Sequence, residues 1–423
     1  MRWHDGAQGP LLCDKTLPQA PERHVPPAPS QPTYAHPARL ILILGIAPAV
    51  GLGICRFAYS LVLPDMRDSL GWSYSTAGFM NTINAAGYLV GALGASAFVR
   101  RFGLFNSVWI GALACVVSLV ISAISADFVI FSGARLLSGI AAAIAFVGGG
   151  ALATNIALSQ RDRSSFYQSL FYVGPAIGLL ISGFVAPFLL QAYGRGSWWI
   201  VWAWLAVISA VLTAMLGLSK IDEPTMPAQT KPAEIAVMPA LPYLAGYFLF
   251  GAGYIAYMTF MIAFVRDAGG GALAQSAFWT CIGIGAIAQP WVWGRLMARG
   301  RGGGVTALMI GITAIGALIP LAGTSPAVLA ISALVFGNAF FAVVSSTTAF
   351  ARLNYPREAW PKAIAVMTIA FGLGQILGPI ATGAITDAMG SLAYALNMSA
   401  AVLVLGVIAC LFQKPLANTA NQT

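Results

Sequence analysis

Apolar runs of about 20 residues, the length that crosses a hydrocarbon core of roughly 30 Å, recur along the chain from residue 39 to residue 413 with short polar breaks between them. Twelve such runs are read, over 39–63, 75–99, 104–125, 128–156, 165–190, 198–218, 241–265, 273–297, 303–322, 326–351, 360–386 and 391–413. The longest break in the series, 219–240, reads SKIDEPTMPAQTKPAEIAVMPA, carries four prolines and divides the runs six and six. Residues 1–38 are rich in proline and polar side chains and too poor in apolar ones to pack, and they hold no apolar stretch like that of a signal peptide. A disordered tail is expected there.

Composition makes the runs membrane spans. The 423 residues are 58% hydrophobic and 8% charged, with a mean hydropathy of +0.80, whereas soluble domains carry about 25% charged residues. The formal charge of +9 does not point to nucleic acid, because the basic residues lie in the gaps between runs and not along a stripe or tail. With the N-terminus inside, Arg67, Arg195 and Arg266 fall outside and Arg56 and Arg135 within the membrane, which leaves 17 of the 22 Lys and Arg on the cytoplasmic side. The positive-inside rule then puts both termini of a multi-pass membrane protein in the cytoplasm.

The usual ligands of enzyme chemistry are missing from the runs. All three histidines (His4, His24 and His36) precede the first one, and the five cysteines (Cys13, Cys55, Cys115, Cys281 and Cys410) are scattered with no CxxC. No metal or haem site, no cofactor and no catalytic cluster is expected. Asp65, Asp127, Asp267 and Asp387 fall at outer helix ends, and no Asp, Glu or His occupies the centre of a run.

Two arginines remain to be explained. A guanidinium in hydrocarbon costs roughly 2.5 to 3.5 kcal/mol on insertion scales, so Arg56, inside GLGICRFAYSLVLP, needs a partner. Helical spacing puts Tyr59 and Ser60 on its face. Arg56 lies nine residues before Asp65, and Arg135 eight after Asp127. At 1.5 Å per residue both sit about 12 to 14 Å below the outer helix ends, at one level. In the second run Asn81, Asn84 and Tyr88 form a polar stripe, beside Gly87, Gly91 and Ala95 at the spacing of close helix packing. Tyr247, Tyr254 and Tyr257 fall near one face of the seventh run, and Asn155, Gln289, Asn338 and Gln375 are single polar residues that suit an interhelical hydrogen bond or a solute contact.

The halves resemble each other. GLGICRFAYSLVLPDMRD at 51–68 sets its Gly-x-Gly over that of GAGYIAYMTFMIAFVRD at 251–267, which pairs Arg56 with Ala256. Aligning Gly139 with Gly337 pairs Arg135 with Ala333, and a Gly-Pro pair recurs at Gly174 and Pro175 and at Gly378 and Pro379. Internal repeats of this kind build many secondary transporters, with the site at the midplane between them.

Over nearly the whole chain after residue 38 this organisation resembles the major facilitator superfamily. RLLSG, from Arg135 to Gly139, is similar to its fourth-helix Arg-x-x-x-Gly motif, which has been read both as structural and as part of proton transfer. GPAIG, from Gly174 to Gly178, looks like the fifth-helix motif associated with antiporters. The texts GLGICRFAYSLVLP and GLGQILGPIATG look like the YbfB/YjiJ-like branch. One signature departs. The loop after the second helix, SAFVRRFG, has Arg100 where the family carries its latch Asp, followed by Arg101, and the related GRLMARGR has Ala298 there, so Asp162 or Glu358 is the candidate replacement carboxylate.

The expectation is an all-α membrane protein, with twelve transmembrane helices in two six-helix bundles related by pseudo-twofold symmetry, as in the major facilitator fold. The parts are a cytoplasmic tail (1–38), an N-terminal bundle (39–218), a cytoplasmic linker (219–240), a C-terminal bundle (241–413) and a second tail (414–423). The resemblance implies a secondary transporter, not an enzyme, that moves a small organic solute by alternating access as a monomer in the bilayer, with protons as a candidate coupling ion and export as a candidate direction. Two buried cations without counter-charges favour an anionic or carboxylate-bearing solute. The alternatives are drug-like efflux, a passive facilitator or a solute sensor. Candidate solute contacts are Arg56, Tyr59, Asn81, Asn84, Tyr88, Arg135, Tyr254, Tyr257 and Gln375; candidate gating or helix-motif residues are Arg100, Arg101, Gly174, Pro175, Gly178, Gly378 and Pro379.

Overall fold

A backbone that crosses lipid must satisfy its own N–H and C=O groups, and each apolar run does so as a helix. The computed structural model describes residues 34, 36–158, 167, 170–219, 221, 223, 235–297 and 300–416. The readings made above on residues 1–33, Asp162 and its flanking arginines, most of the linker, Ala298 and Arg299, and residues 417–423 lie outside the described residues. The helices are α1 (Pro37–Leu70), α2 (Tyr74–Phe102), α3 (Leu104–Ile124), α4 (Phe128–Leu158), α5 (Leu170–Tyr193) and α6 (Trp198–Leu218), then α7 (Leu241–Asp267), α8 (Ala272–Met297), α9 (Gly304–Leu318), α10 (Pro326–Asn354), α11 (Trp360–Met389) and α12 (Leu392–Leu411). Among the described residues 11 helices are long and apolar enough to cross a membrane. The remaining helix, α8, has 26 residues, about 39 Å at 1.5 Å per residue; its Gln, Trp and Gly residues dilute its apolar content.

Helix α1 is not uniform. Residues Ala49–Phe57 form a π-helical stretch between α-helical segments. Pro48 stands just before it, and a proline gives no N–H to the helical ladder and crowds the carbonyl four residues back. The wider i→i+5 turn carries all nine residues in buried positions, Arg56 among them. Beyond it the helix runs on to Leu70 and ends where Gly71 takes a φ of 68°, a conformation glycine adopts without strain. The helix therefore extends past Asp65, where the apolar run stops, because its polar last turns need not lie in hydrocarbon.

Close helix packing follows the small residues and repeats between halves. A methyl on Gly139 of α4 would collide with the Asn84 carbonyl of α2, and one on Gly87 of α2 with the Leu136 carbonyl of α4. In the second half Gly337 of α10 meets the Ile282 carbonyl of α8, and Gly285 meets that of Leu334, at the same spacing along the chain. The same spacing relates Gly53, whose methyl would stand 2.5 Å from the Gly178 Cα of α5, to Gly251, which faces the Phe371 carbonyl of α11 at 2.5 Å. This register corrects the repeat in the first helices by two residues. Gly253 faces Leu403 and Ser399 of α12, so the counterpart of Arg56 is Tyr254, not Ala256. Matching Gly-x-Gly text misled because glycines serve different neighbours in the two helices.

The two bundles meet most firmly at the end that carries Asp65. Asp387 of α11 accepts hydrogen bonds from the Tyr74 and Ser75 N–H groups (both 2.8 Å) and the Ser75 hydroxyl (2.5 Å), and so caps α2 from across the bundle interface. Arg266 pairs with Asp68 at 2.8 Å, Tyr74 donates to Asp267 at 3.3 Å, and Thr82 donates to the Ile376 carbonyl at 2.7 Å. Asp65 itself stays within its bundle and accepts from Gly196 and Trp198 N–H at 2.9 and 3.0 Å. At the opposite end Arg100 and Arg101 are exposed in the last turn of α2. There the carboxylate that docks is Glu223 of the linker, which accepts from Leu104 and Phe105 N–H at 2.8 and 2.6 Å and caps α3. Glu358, a candidate for that place, lies instead in the short turn Arg357–Ala359 before α11.

Candidate functional site

Halfway through the interface, eight helices in symmetry-related pairs (α1, α2, α4, α5 and α7, α8, α10, α11) line one cavity of about 60 Å³. Its wall includes Arg56, Phe57, Tyr88, Tyr172, Pro175, Tyr254, Gln289, Phe341, Phe371 and Gln375. Half of the lining is aromatic, and no carboxylate belongs to it.

Arg56 enters this wall from the π-helical stretch and is 5% exposed. Its guanidinium carbon lies 5.3 Å from the centre of the Tyr88 ring and 5.9 Å from that of Phe57. Contacts of this kind ease a buried cation by about 0.5 to 2 kcal/mol, less than its desolvation. Among the described residues Arg56 has no ion-pair partner, and its Nη2 finds no acceptor. Two more unpaired polar atoms belong to the same wall: Gln289 Oε1 and Gln375 Oε1, on side chains 4% and 1% exposed. The Gln375 Nε2 is engaged, donating to the Tyr254 hydroxyl.

Arg135 stands at the expected level beside Arg56 but does a different job. Its guanidinium donates to the Cys55 carbonyl, to the Arg56 and Met80 carbonyls (both 3.4 Å) and to Asn81 Oδ1 (3.0 Å), and it lies 4.8 Å from the Tyr59 ring centre. One side chain of α4 thus ties α1 to α2. Two of the three carbonyls it takes, those of Cys55 and Arg56, belong to the π-helical stretch.

Of the nine expected solute contacts, the structure brings Arg56, Tyr88, Tyr254 and Gln375 together at the cavity. The other five are spent on helix packing. Besides Arg135, Tyr59 donates to the Ala77 carbonyl at 2.8 Å, Asn81 to the Thr259 hydroxyl across the interface at 2.8 Å, and Asn84 to the Arg135 carbonyl and Ser138 hydroxyl at 3.0 and 2.8 Å. The Tyr257 and Ser332 hydroxyls share a hydrogen bond of 2.6 Å. Gly174 and Gly178 press on the Gly45 and Ala49 carbonyls of α1, and Gly378 on the Ala252 carbonyl of α7, while Pro379 presents its carbonyl to Gly78 of α2. Only Pro175 of these motif residues also reaches the cavity. The lining aromatics Tyr172, Phe341 and Phe371 had no sequence signal, since an aromatic in a transmembrane run reads the same whether it faces lipid, a neighbour or a cavity.

At the Asp65 end a second, larger cavity of about 580 Å³ is lined by Asp65, Asp68, Gln191, Arg195, Arg266 and Gln275 among others. It carries charges of both signs, unlike the central one.

The family model described as "Uncharacterised MFS-type transporter YbfB" matches residues 48–411. Two solved structures share the fold. One is a bacterial homologue of the human lysosomal transporter Spinster in an inward-facing, unoccupied conformation, with TM-score 0.65 and 14% identity over 90% of this chain and 97% of that one. The other is the nucleoside transporter NupG in a point-mutant form, with TM-score 0.67 and 14% identity over 88% of this chain and 99% of that one. No curated protein matches by sequence.

Proposed function

This chain belongs to the YbfB-type family of major facilitator transporters, and from that membership we propose that it carries a small anionic, carboxylate-bearing solute across the bacterial inner membrane by alternating access. The observation that supports this reading is Arg56: a buried guanidinium, with an unpaired Nη2, in the wall of the cavity between the bundles. A charge held dry without a counter-charge is costly, and a solute carboxylate at Nη2 offsets that cost with a charge-assisted hydrogen bond. With Arg135 engaged by carbonyls, Arg56 alone is the anchor.

The cavity's 60 Å³ holds about two waters and falls well below the roughly 300 Å³ of a small-molecule site. A solute therefore enters as the bundles part. The contacts at the Asp65 end are the ones that must release on one side of the cycle, and positive-inside counting makes that side the periplasm. The solute's own carboxyl is the simplest carrier of a coupled proton. The Gly174–Pro175 pair is the only support for export, by its resemblance to an antiporter motif. The aromatic lining also suits drug-like compounds, the second reading, but Arg56 disfavours the cationic ones.

A metabolite-wide thermal-shift screen on the purified protein tests the proposal. Stabilising compounds should be carboxylates or other anions, and they should lose their effect on Arg56→Ala. Hits that are cations, or that stabilise the variant equally, contradict it.

A further inference from the structure

The central cavity carries more than one unmet demand. Arg56 Nη2 on α1 lacks an acceptor, while Gln289 Oε1 on α8 and Gln375 Oε1 on α11 lack donors. All three side chains are more than nine-tenths buried and line the same wall, the cation in one bundle and both amide oxygens in the other. The Gln375 oxygen is left free because its Nε2 donates to Tyr254. A simple carboxylate answers only Arg56 and would leave two buried acceptors unpaired, each a cost that discriminates between solutes.

The apolar part of the wall has a shape. Tyr254 and Phe371 lie nearly parallel, at 8° with centroids 5.7 Å apart, and continue into Tyr247 (12° from Phe371, 4.8 Å) and Phe250 (12° from Tyr254, 4.8 Å). Tyr254 and Phe371 are the cavity-lining members of this layered set. A wall built from rings stacked on one another offers a flat π-system edge-to-face or offset-stacked contacts that a saturated body does not make.

We infer that the solute is a planar aromatic carboxylate with a hydrogen-bond donor, a hydroxyl or amine, remote from its acid group. The carboxylate accepts from Arg56 in the N-terminal bundle, a hydroxyl donates to the Gln289 or the Gln375 oxygen in the C-terminal bundle while the two N–H groups of an amine meet both, and the ring lies among Tyr88, Tyr254 and Phe371. Such a solute bridges the two bundles, whereas one that satisfies only Arg56 leaves them unlinked. The inference rests on the reading of Arg56 as the anion anchor.

Calorimetric titration of the full-length protein in nanodiscs tests it with four probes: 4-hydroxybenzoate, benzoate, trans-4-hydroxycyclohexanecarboxylate and 4-hydroxybenzamide. The first should bind tightest, benzoate about tenfold more weakly for want of the donor, and the saturated acid and uncharged amide more weakly still. In at least one of Gln375→Met and Gln289→Met, the one whose oxygen accepts the phenol hydrogen, the gap between 4-hydroxybenzoate and benzoate should shrink to within about twofold. Equal binding of those two acids, a gap that survives in both glutamine variants, tight binding of the saturated acid, or no binding by any probe at millimolar concentration would overturn the inference. The arms separate the two levels. A saturated acid that binds tightly and loses affinity on Arg56→Ala leaves the anion anchor standing, whereas an amide that binds as well as the acid removes the anchor too.

Discussion

Arg135 donates a hydrogen bond to the main-chain carbonyl of Arg56, 3.4 Å away. Two buried guanidiniums thus share one level of the membrane, one of them tying backbones together and the other facing a cavity with a free donor. The sum of the two charges is tolerable because Arg135 is surrounded by oxygen acceptors and Arg56 by aromatic faces.

The division of labour predicts opposite effects on stability. Arg135→Ala leaves several buried carbonyls unpaired, which costs about 3 kcal/mol or more, and should lower the melting temperature of the purified protein by roughly 5 °C or more. Arg56→Ala removes an unpaired buried charge and should leave the melting temperature unchanged or raised. Thermal unfolding followed by tryptophan fluorescence decides between this assignment and its reverse.

Asp387 caps α2 from the opposite bundle, so it acts as a latch at its end of the interface. Asp387→Ala removes a cap worth about 1 kcal/mol and should raise the population open at that end roughly fivefold. Spin labels at the exposed helix-end positions 69 and 388, read by pulsed electron resonance, report the distance distribution. An unchanged distribution removes the latch.

Gly178 leaves no space for a side chain against the Ala49 carbonyl, and Gly174 none against that of Gly45. Gly178→Val should therefore cut the folded yield from detergent extraction by roughly fivefold or more, as expected for overpacking of about 1 to 3 kcal/mol. Size-exclusion profiles show it. A well-folded variant with weakened solute binding would move the motif from packing to the site.

The basic loop pattern predicts topology. A cytoplasmic reporter fused after Lys414 should be active and a periplasmic one silent; the opposite result inverts the assignment of sides.

Helix number and order were legible because length and hydropathy are properties of each run alone. Even so, α1 outruns its apolar text by about two turns, since polar residues at a helix end are compatible with both helix and loop. The candidate site was legible where a residue type is intolerable without compensation, as with Arg56, which lines the central cavity. It was not legible for Tyr59, Asn81 and Asn84, whose spacing on an ideal α-helix says nothing about a π-helical stretch next to them, or about which carbonyls that stretch exposes. Arg135 shows the limit most clearly. Its burial followed from sequence, but all of its partners except Asn81 Oδ1 are backbone oxygens from two other helices, and backbone oxygens carry no sequence signature.

Counterflow in proteoliposomes, with the solute found by thermal shift on both sides and the label outside, tests the central claim most directly. The wild type should accumulate label, Arg56→Lys should lose much of the affinity because a single ammonium does not reproduce the guanidinium fork, and Arg56→Ala should lose about thirtyfold, the equivalent of roughly 2 kcal/mol. Unchanged affinity and rate in Arg56→Ala, with the protein folded, would contradict the account and return Arg56 to the scaffold.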